Sequence, residues 1–286
     1  MKIIKLVLIV AAVVISTNLS ALESIVTGKW FEIHSQTMNE NRRYSIYLPP
    51  GYQQNKDKKY PVMYVFDGDE TRMKGISGLV ESLGSENLDR QIPEFIIVAI
   101  PNTDRTRDLT PTKTDLIFKG NVLDKFEASG GADKFAAFIE KELVPSIRSK
   151  YRTNGTKVLV GHSFGGLFAA HVMLTNPDLF SHYLIADATF IWDNNYLNKL
   201  AHKKLSQFPP NKIKVFFALA NNDHLGEIGI TNRAWGNQFI TQLKKSSSTN
   251  LQVDSKYFVD ERHATVEMLA WYYGLRYLFK ARQTES

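Results

Sequence analysis

The chain has 286 residues, 43% of them hydrophobic and 12% aromatic, with a formal charge of +6 and no cysteine. That content is enough for one large core, and it excludes disulfides and a cysteine-linked lipid as sources of stability or anchorage. Its 35 lysines and arginines are scattered, with no basic stripe or interleaved aromatics, which argues against nucleic acid as a partner.

Residues 1–21 have the layout of a secretory signal peptide. Lys2 and Lys5 precede an apolar run from Leu6 to Ile15, and a polar stretch then ends at Ser20-Ala21. Leu19 fits the small-residue rule at a cleavage site poorly, so the cut is placed only to within a few residues. The apolar run is too short to span a bilayer comfortably. The expectation is a periplasmic or secreted protein, residues 22–286 forming a single catalytic domain with no stable membrane insertion.

Beyond the leader, apolar runs alternate with helical patterns, as in an α/β protein with a mostly parallel sheet and helices on both faces. Strands are predicted at Lys29–His34, Arg43–Leu48, Val62–Phe66, Phe95–Ile100, Lys157–Gly161, Tyr183–Ala186, Ile213–Ala220 and Val253–Val259. The first two read as an antiparallel hairpin at the sheet edge. Several of the others are continuous Val/Ile/Phe runs, as strands buried on both faces should be. Helices are predicted at Ala132–Tyr151, with a kink at Pro145, and at Phe164–Thr175, Asn194–Gln207, Asn232–Lys245 and Ala264–Ala281. The stretch from Pro101 to Gly131 shows neither pattern. It follows a strand at the carboxyl edge of the sheet, so it is expected to overhang the site.

The strongest local signal is Gly161-His162-Ser163-Phe164-Gly165-Gly166, between a predicted strand and a predicted helix. In a G-x-S-x-G turn the serine sits in a strained conformation, and the flanking glycines remove side chains that would clash. The amide of Phe164, at the helix start, then faces the oxygen that becomes negative in acyl transfer. Ser163 is the candidate nucleophile.

A serine hydroxyl needs an adjacent base. Of the seven histidines, His263 follows the last predicted strand and opens the final helix, the position expected of the base. The orienting acid is sought after the preceding strand, in Ala220-Asn221-Asn222-Asp223-His224-Leu225-Gly226-Glu227. Asp223 is nearer the strand end, and Glu227 is the alternative. Asp223 could equally cap a turn. The second oxyanion-hole amide is sought in Val65-Phe66-Asp67-Gly68-Asp69-Glu70, from Gly68 or Asp69. That acidic run is not a calcium loop, because Arg72 stands where the required glycine would be. Arg105 and Arg107, on the overhanging segment, are candidate contacts for an anionic or catecholate substrate, and ordinary surface ion pairs are the competing explanation.

Several pieces together resemble the putative-esterase family of α/β-hydrolases, which includes siderophore esterases, S-formylglutathione hydrolase, feruloyl esterases and mycolyltransferases. They are Tyr44–Tyr52, Tyr60–Gly68, Arg105–Pro111, Gly130–Phe135, Gly161–Leu167 and Pro177–Phe180, and they look most like the periplasmic siderophore-esterase branch. The resemblance implies an α/β-hydrolase fold and cofactor-free serine ester hydrolysis of a small-molecule substrate, with Ser163 as nucleophile and His263 as base. It also implies that relatives often carry a glutamate where Asp223 stands, and that some siderophore esterases use only a Ser-His pair. At Ala186-Asp187-Ala188-Thr189, Asp187 replaces a small polar residue of the relatives. An acyltransferase with the same machinery, or a catalytically silent binding protein, are the alternatives to an esterase.

Overall fold

The computed structural model describes residues 26–208, 212–246 and 250–279, so the proposed leader lies outside the described residues. Eight strands form the central sheet: β1 (Lys29–Ser35), β2 (Glu40–Tyr47), β3 (Tyr60–Phe66), β4 (Ile96–Ile100), β7 (Thr153–His162), β8 (His182–Ala186), β9 (Ile213–Ala220) and β10 (Leu251–Phe258). Two more, β5 (Leu116–Phe118) and β6 (Asn121–Asp124), pair only with each other.

The sheet order is β1-β2-β4-β3-β7-β8-β9-β10. The β1–β2 and β2–β4 pairs are antiparallel and the rest parallel. Side chains of β3 alternate between two cores, because successive residues of a strand face opposite ways. Tyr64 and Phe66 join one apolar cluster with Phe135 and Phe168, while Met63 and Val65 join another with Met73, Ile76 and Trp271. Those clusters belong to two helical layers. One layer contains α1 (Glu70–Gly84) and α8 (Val266–Phe279); the other contains α3 (Ala132–Phe138), α4 (Val144–Lys150), α5 (Phe164–Thr175), α6 (Tyr196–Lys204) and α7 (Glu227–Lys245). This is the α/β-hydrolase fold.

The helix predicted with a kink at Pro145 has a π-helical turn, Ile139–Leu143, between α3 and α4. Proline has no amide proton and crowds the carbonyl four residues back, and the wider turn before it absorbs both defects. Four of the α-helices and strands were not foreseen in the sequence. α1 is one, and the Pro101–Gly131 stretch contains the others, the short helix α2 (Arg105–Leu109) and the paired strands β5 and β6.

α2 is fastened to the sheet edge by charge. Arg42, 1% exposed, donates to Asp108 at 2.7 Å, and Arg107 donates to both Asp108 and Glu40. The Arg107 guanidinium holds the Glu40 carboxyl below its ordinary range. Arg107 thus secures α2, and its donors are turned toward these carboxylates.

Candidate active site

β7 runs straight into α5 through Ser163, whose φ of 59° and ψ of −119° are unusual for a side-chain-bearing residue. The tightness of the turn explains the glycines. A Cβ on Gly161 would lie 2.2 Å from the Gly165 carbonyl oxygen, so only glycine fits there. The first amides of α5, beginning with Phe164, have no acceptor inside the helix and stand at its positive end.

His263 sits between β10 and α8, and its Nδ1 hydrogen-bonds Asp187 Oδ2 at 2.5 Å. Asp187 follows β8, is 1% exposed and has φ 39°. It also accepts from the Ala220 amide at 3.1 Å and the Asn222 side-chain amide at 2.8 Å. Burial pushes its carboxyl up, but the bonds from His263, Asn222 and Ala220 outweigh that and hold it below the ordinary carboxylate value.

The acid expected at Asp223 therefore requires correction. Asp223 is in a short 3₁₀ turn after β9, with its side chain 48% exposed and bonded to Arg233 at 2.5 Å. Glu227, the alternative, pairs with Lys119 of the β5–β6 hairpin. Neither is the carboxylate on His263. The strand end that carries Asp223 does contribute through its neighbour, because Asn222 donates to Asp187 and accepts from the His263 backbone amide at 2.9 Å. Asp187 was visible in the sequence only as a departure from its relatives, and Asn222 gave no signal of its own.

A second unforeseen contact comes from within the serine turn. His162, 8% exposed, donates its Nε2 proton to the His263 backbone oxygen at 2.8 Å, and the two rings lie 4.4 Å apart. Burial, with the His263 ring beside it, lowers the His162 pKa to about 4. A neutral ring with a proton on Nε2 suits that bond.

The amides expected to complete the oxyanion hole are otherwise engaged. Gly68 N donates to Ile100 O at 2.9 Å and Asp69 N to Asp67 O at 2.8 Å, while the Asp69 side chain caps α1. The close approach of β4 explains the first bond: a Cβ on Gly68 would lie 2.4 Å from Ile100 N. Phe164 is the member of the predicted hole whose amide stands at a helix start.

Arg105 and Arg107 part company here. Arg105 forms a two-pronged pair with buried Asp67, at 2.7 and 3.0 Å, and its guanidinium carbon lies 5.1 Å from the centre of the Phe164 ring. It adjoins the serine turn, whereas Arg107 serves the α2 network. Burial raises the Asp67 carboxyl, but the Arg105 and Asn102 bonds prevail and keep it below its ordinary value.

Ser163, Asp187 and His263 all line a cavity of 210 Å³, together with Leu116, Phe164, Ile191, Leu225 and Ile228. Leu116 belongs to β5, so the Pro101–Gly131 segment does overhang the site. That segment is held down by the Phe126 ring, which meets Phe164 edge to face and lies tilted against Trp192, and by a 2.8 Å bond from Trp192 Nε1 to Thr112. Among the described residues no group of three or more histidines and carboxylates could hold a metal ion, and no helix is long and apolar enough to cross a membrane.

Residues 35–253 match the family described as "Putative esterase". A solved structure of an IroE-like serine hydrolase from Shewanella oneidensis superposes with a TM-score of 0.81 at 37% identity, covering 88% of this chain and 80% of that one. Among curated proteins, ferri-bacillibactin esterase BesA of Bacillus subtilis (strain 168) is 28% identical over 191 residues, 64% of this chain and 66% of that protein. The siderophore enterobactin esterase of Emericella nidulans is 35% identical over 122 residues, 39% of this chain and 40% of its own length. The matched region thus spans just under two thirds of the bacterial relative and less than half of the fungal one.

Proposed function

Because the chain belongs to the putative-esterase family, we propose that it hydrolyses carboxylic esters through an acyl-enzyme on Ser163, with His263 as base and Asp187 as orienting acid. The observation that carries this reading is the convergence of three separate strand ends on one cavity: Ser163 at its strained turn, His263, and the buried carboxylate bonded to His263 Nδ1.

In that reading Ser163 Oγ attacks the ester carbonyl and its proton passes to His263 Nε2, the ring nitrogen left free by Asp187. Asp187 fixes the tautomer and stabilises the imidazolium. The developing oxyanion is stabilised by the Phe164 amide at the positive end of α5. Collapse of the tetrahedral intermediate expels the alkoxide, which takes the proton from His263. Water, activated by the same histidine, then releases the acid and restores Ser163. No step requires a cofactor. Arg105, paired with Asp67 beside Phe164, stiffens the wall next to the nucleophile.

The names of the Bacillus and Emericella relatives support a siderophore-type ester as one candidate substrate, and short acyl esters are the other. Export to the periplasm or beyond is part of the same proposal, supported by the charged start and apolar run of residues 1–21. The test is Ser163→Ala: hydrolysis of p-nitrophenyl butyrate and labelling by a fluorophosphonate should both be lost. A wild-type rate in that variant overturns the mechanism.

A further inference from the structure

We infer that the cavity beside Ser163 is an acyl pocket for a compact, uncharged apolar group, a short alkyl chain or a single ring, and that it rejects acyl groups bearing a negative charge. This rests on the esterase reading above and adds the substrate class.

Three observations carry it. First, the cavity measures 210 Å³, and an apolar cavity of about 150 Å³ is enough to hold benzene, so its capacity is on the order of six to eight carbon atoms. Second, its apolar wall is built from separate parts of the fold. Leu116 comes from β5, Phe164 from the serine turn, Ile191 from the loop after β8, and Leu225 and Ile228 from the segment after β9. Third, the asparagines in the wall bond to protein. Asn232 Oδ1 accepts from Ile191 N at 3.1 Å and its Nδ2 donates to Ala188 O at 3.0 Å, while Asn222 is committed to Asp187 and His263. Among the described residues, none lining the cavity is a lysine or arginine. A carboxylate or an anionic chelate entering it would give up part of its hydration and gain no lysine or arginine counter-charge from the lining, which is costly. The carboxylate already present, Asp187, adds repulsion.

The experiment compares kcat/KM for p-nitrophenyl esters from acetate to dodecanoate, for the hemisuccinate, and for ester cleavage of a ferric tri-catecholate lactone. Each methylene entering the pocket should raise kcat/KM by about fourfold until the chain reaches the mouth near six carbons, where the gain should stop. The hemisuccinate should run at least about tenfold below the similarly sized butyrate. Ile228→Trp should lower the hexanoate-to-acetate ratio about tenfold or more, and Ile228→Ala should move the break to longer chains. Calorimetric binding of the hexanoate and hemisuccinate esters to Ser163→Ala reads the pocket apart from the chemistry: the first should bind and the second should not. A flat profile from acetate to hexanoate, equal use or equal binding of the hemisuccinate, or faster cleavage of the ferric chelate than of butyrate overturns the pocket. Retained turnover in Ser163→Ala overturns the catalytic reading instead, and the two failures are distinguishable.

Discussion

The ends of the neighbouring strands β8 and β9 each carry an aspartate, and their surroundings are opposite. Asp187, after β8, is 1% exposed and accepts from a ring nitrogen, a side-chain amide and a backbone amide. Asp223, after β9, is half in solvent and pairs with Arg233. The two positions are close along the sheet edge, yet only the first is desolvated and ringed by donors. An acid that holds an imidazolium acts through a short, dry hydrogen bond, and an exposed ion pair contributes little. What qualifies a carboxylate is its enclosure, and a strand end by itself does not provide that.

The comparison is sharpest in a pair of substitutions. Asp187→Asn should lower kcat by about 10²–10⁴ by removing the acceptor that sets the His263 tautomer, measured with p-nitrophenyl butyrate under saturating substrate. An activity within threefold of wild type would mean that the Ser-His pair suffices. Next in size is Asn222→Ala, which strips Asp187 of one donor and leaves the His263 amide without its acceptor. The loss should be about tenfold in kcat and about 1–3 kcal/mol in stability, read by urea denaturation.

His162 supports the same loop from the other side and should be visible through pH. Its folded pKa of about 4 lies below the ordinary 6.5, so between those values the unfolded chain binds more protons and stability falls as pH falls. His162→Gln removes that titration and can still donate to His263 O. Between pH 7 and pH 4.5 it should therefore lose on the order of 2 kcal/mol less unfolding free energy than wild type. A wild-type slope would show that His162 is not held neutral by the fold. The smallest effect is expected of Asp223→Asn: kcat/KM should stay within about threefold, because an exposed pair contributes about 1 kcal/mol at most. A loss comparable with that of Asp187→Asn would reverse the assignment.

Several strands of the main sheet, β3, β4 and β9 among them, were legible because their apolar runs are nearly continuous and bounded by polar turns. β9 coincides with its predicted span, and α5 starts and stops where its apolar pattern does. α1 escaped notice because Gly75, Gly78 and Gly84 dilute its helical pattern, and glycine is a poor helix former. One of them has a packing role, since a Cβ on Gly75 would come within 3.2 Å of the Trp271 ring. α2 and the β5–β6 hairpin are five residues or fewer per element, too short for periodicity to show. They are stabilised by contacts from afar, namely the Arg42–Asp108 pair and the edge-to-face contact of Phe126 with Phe164.

The sequence by itself determined the serine turn and the loop that holds His263. The turn is a local matter, in which Gly161, Ser163 and Gly165 fix the backbone within five residues, and the histidine follows from chain order after a recognisable strand. Only the tertiary structure decided which carboxylate meets that histidine. Asp187 is 76 residues from His263 along the chain, and the parallel register of β8, β9 and β10 brings Ala220, Asn222 and His263 around it. Chain order ranks candidates by position along one strand, whereas burial and hydrogen bonding depend on what the neighbouring strands place beside them.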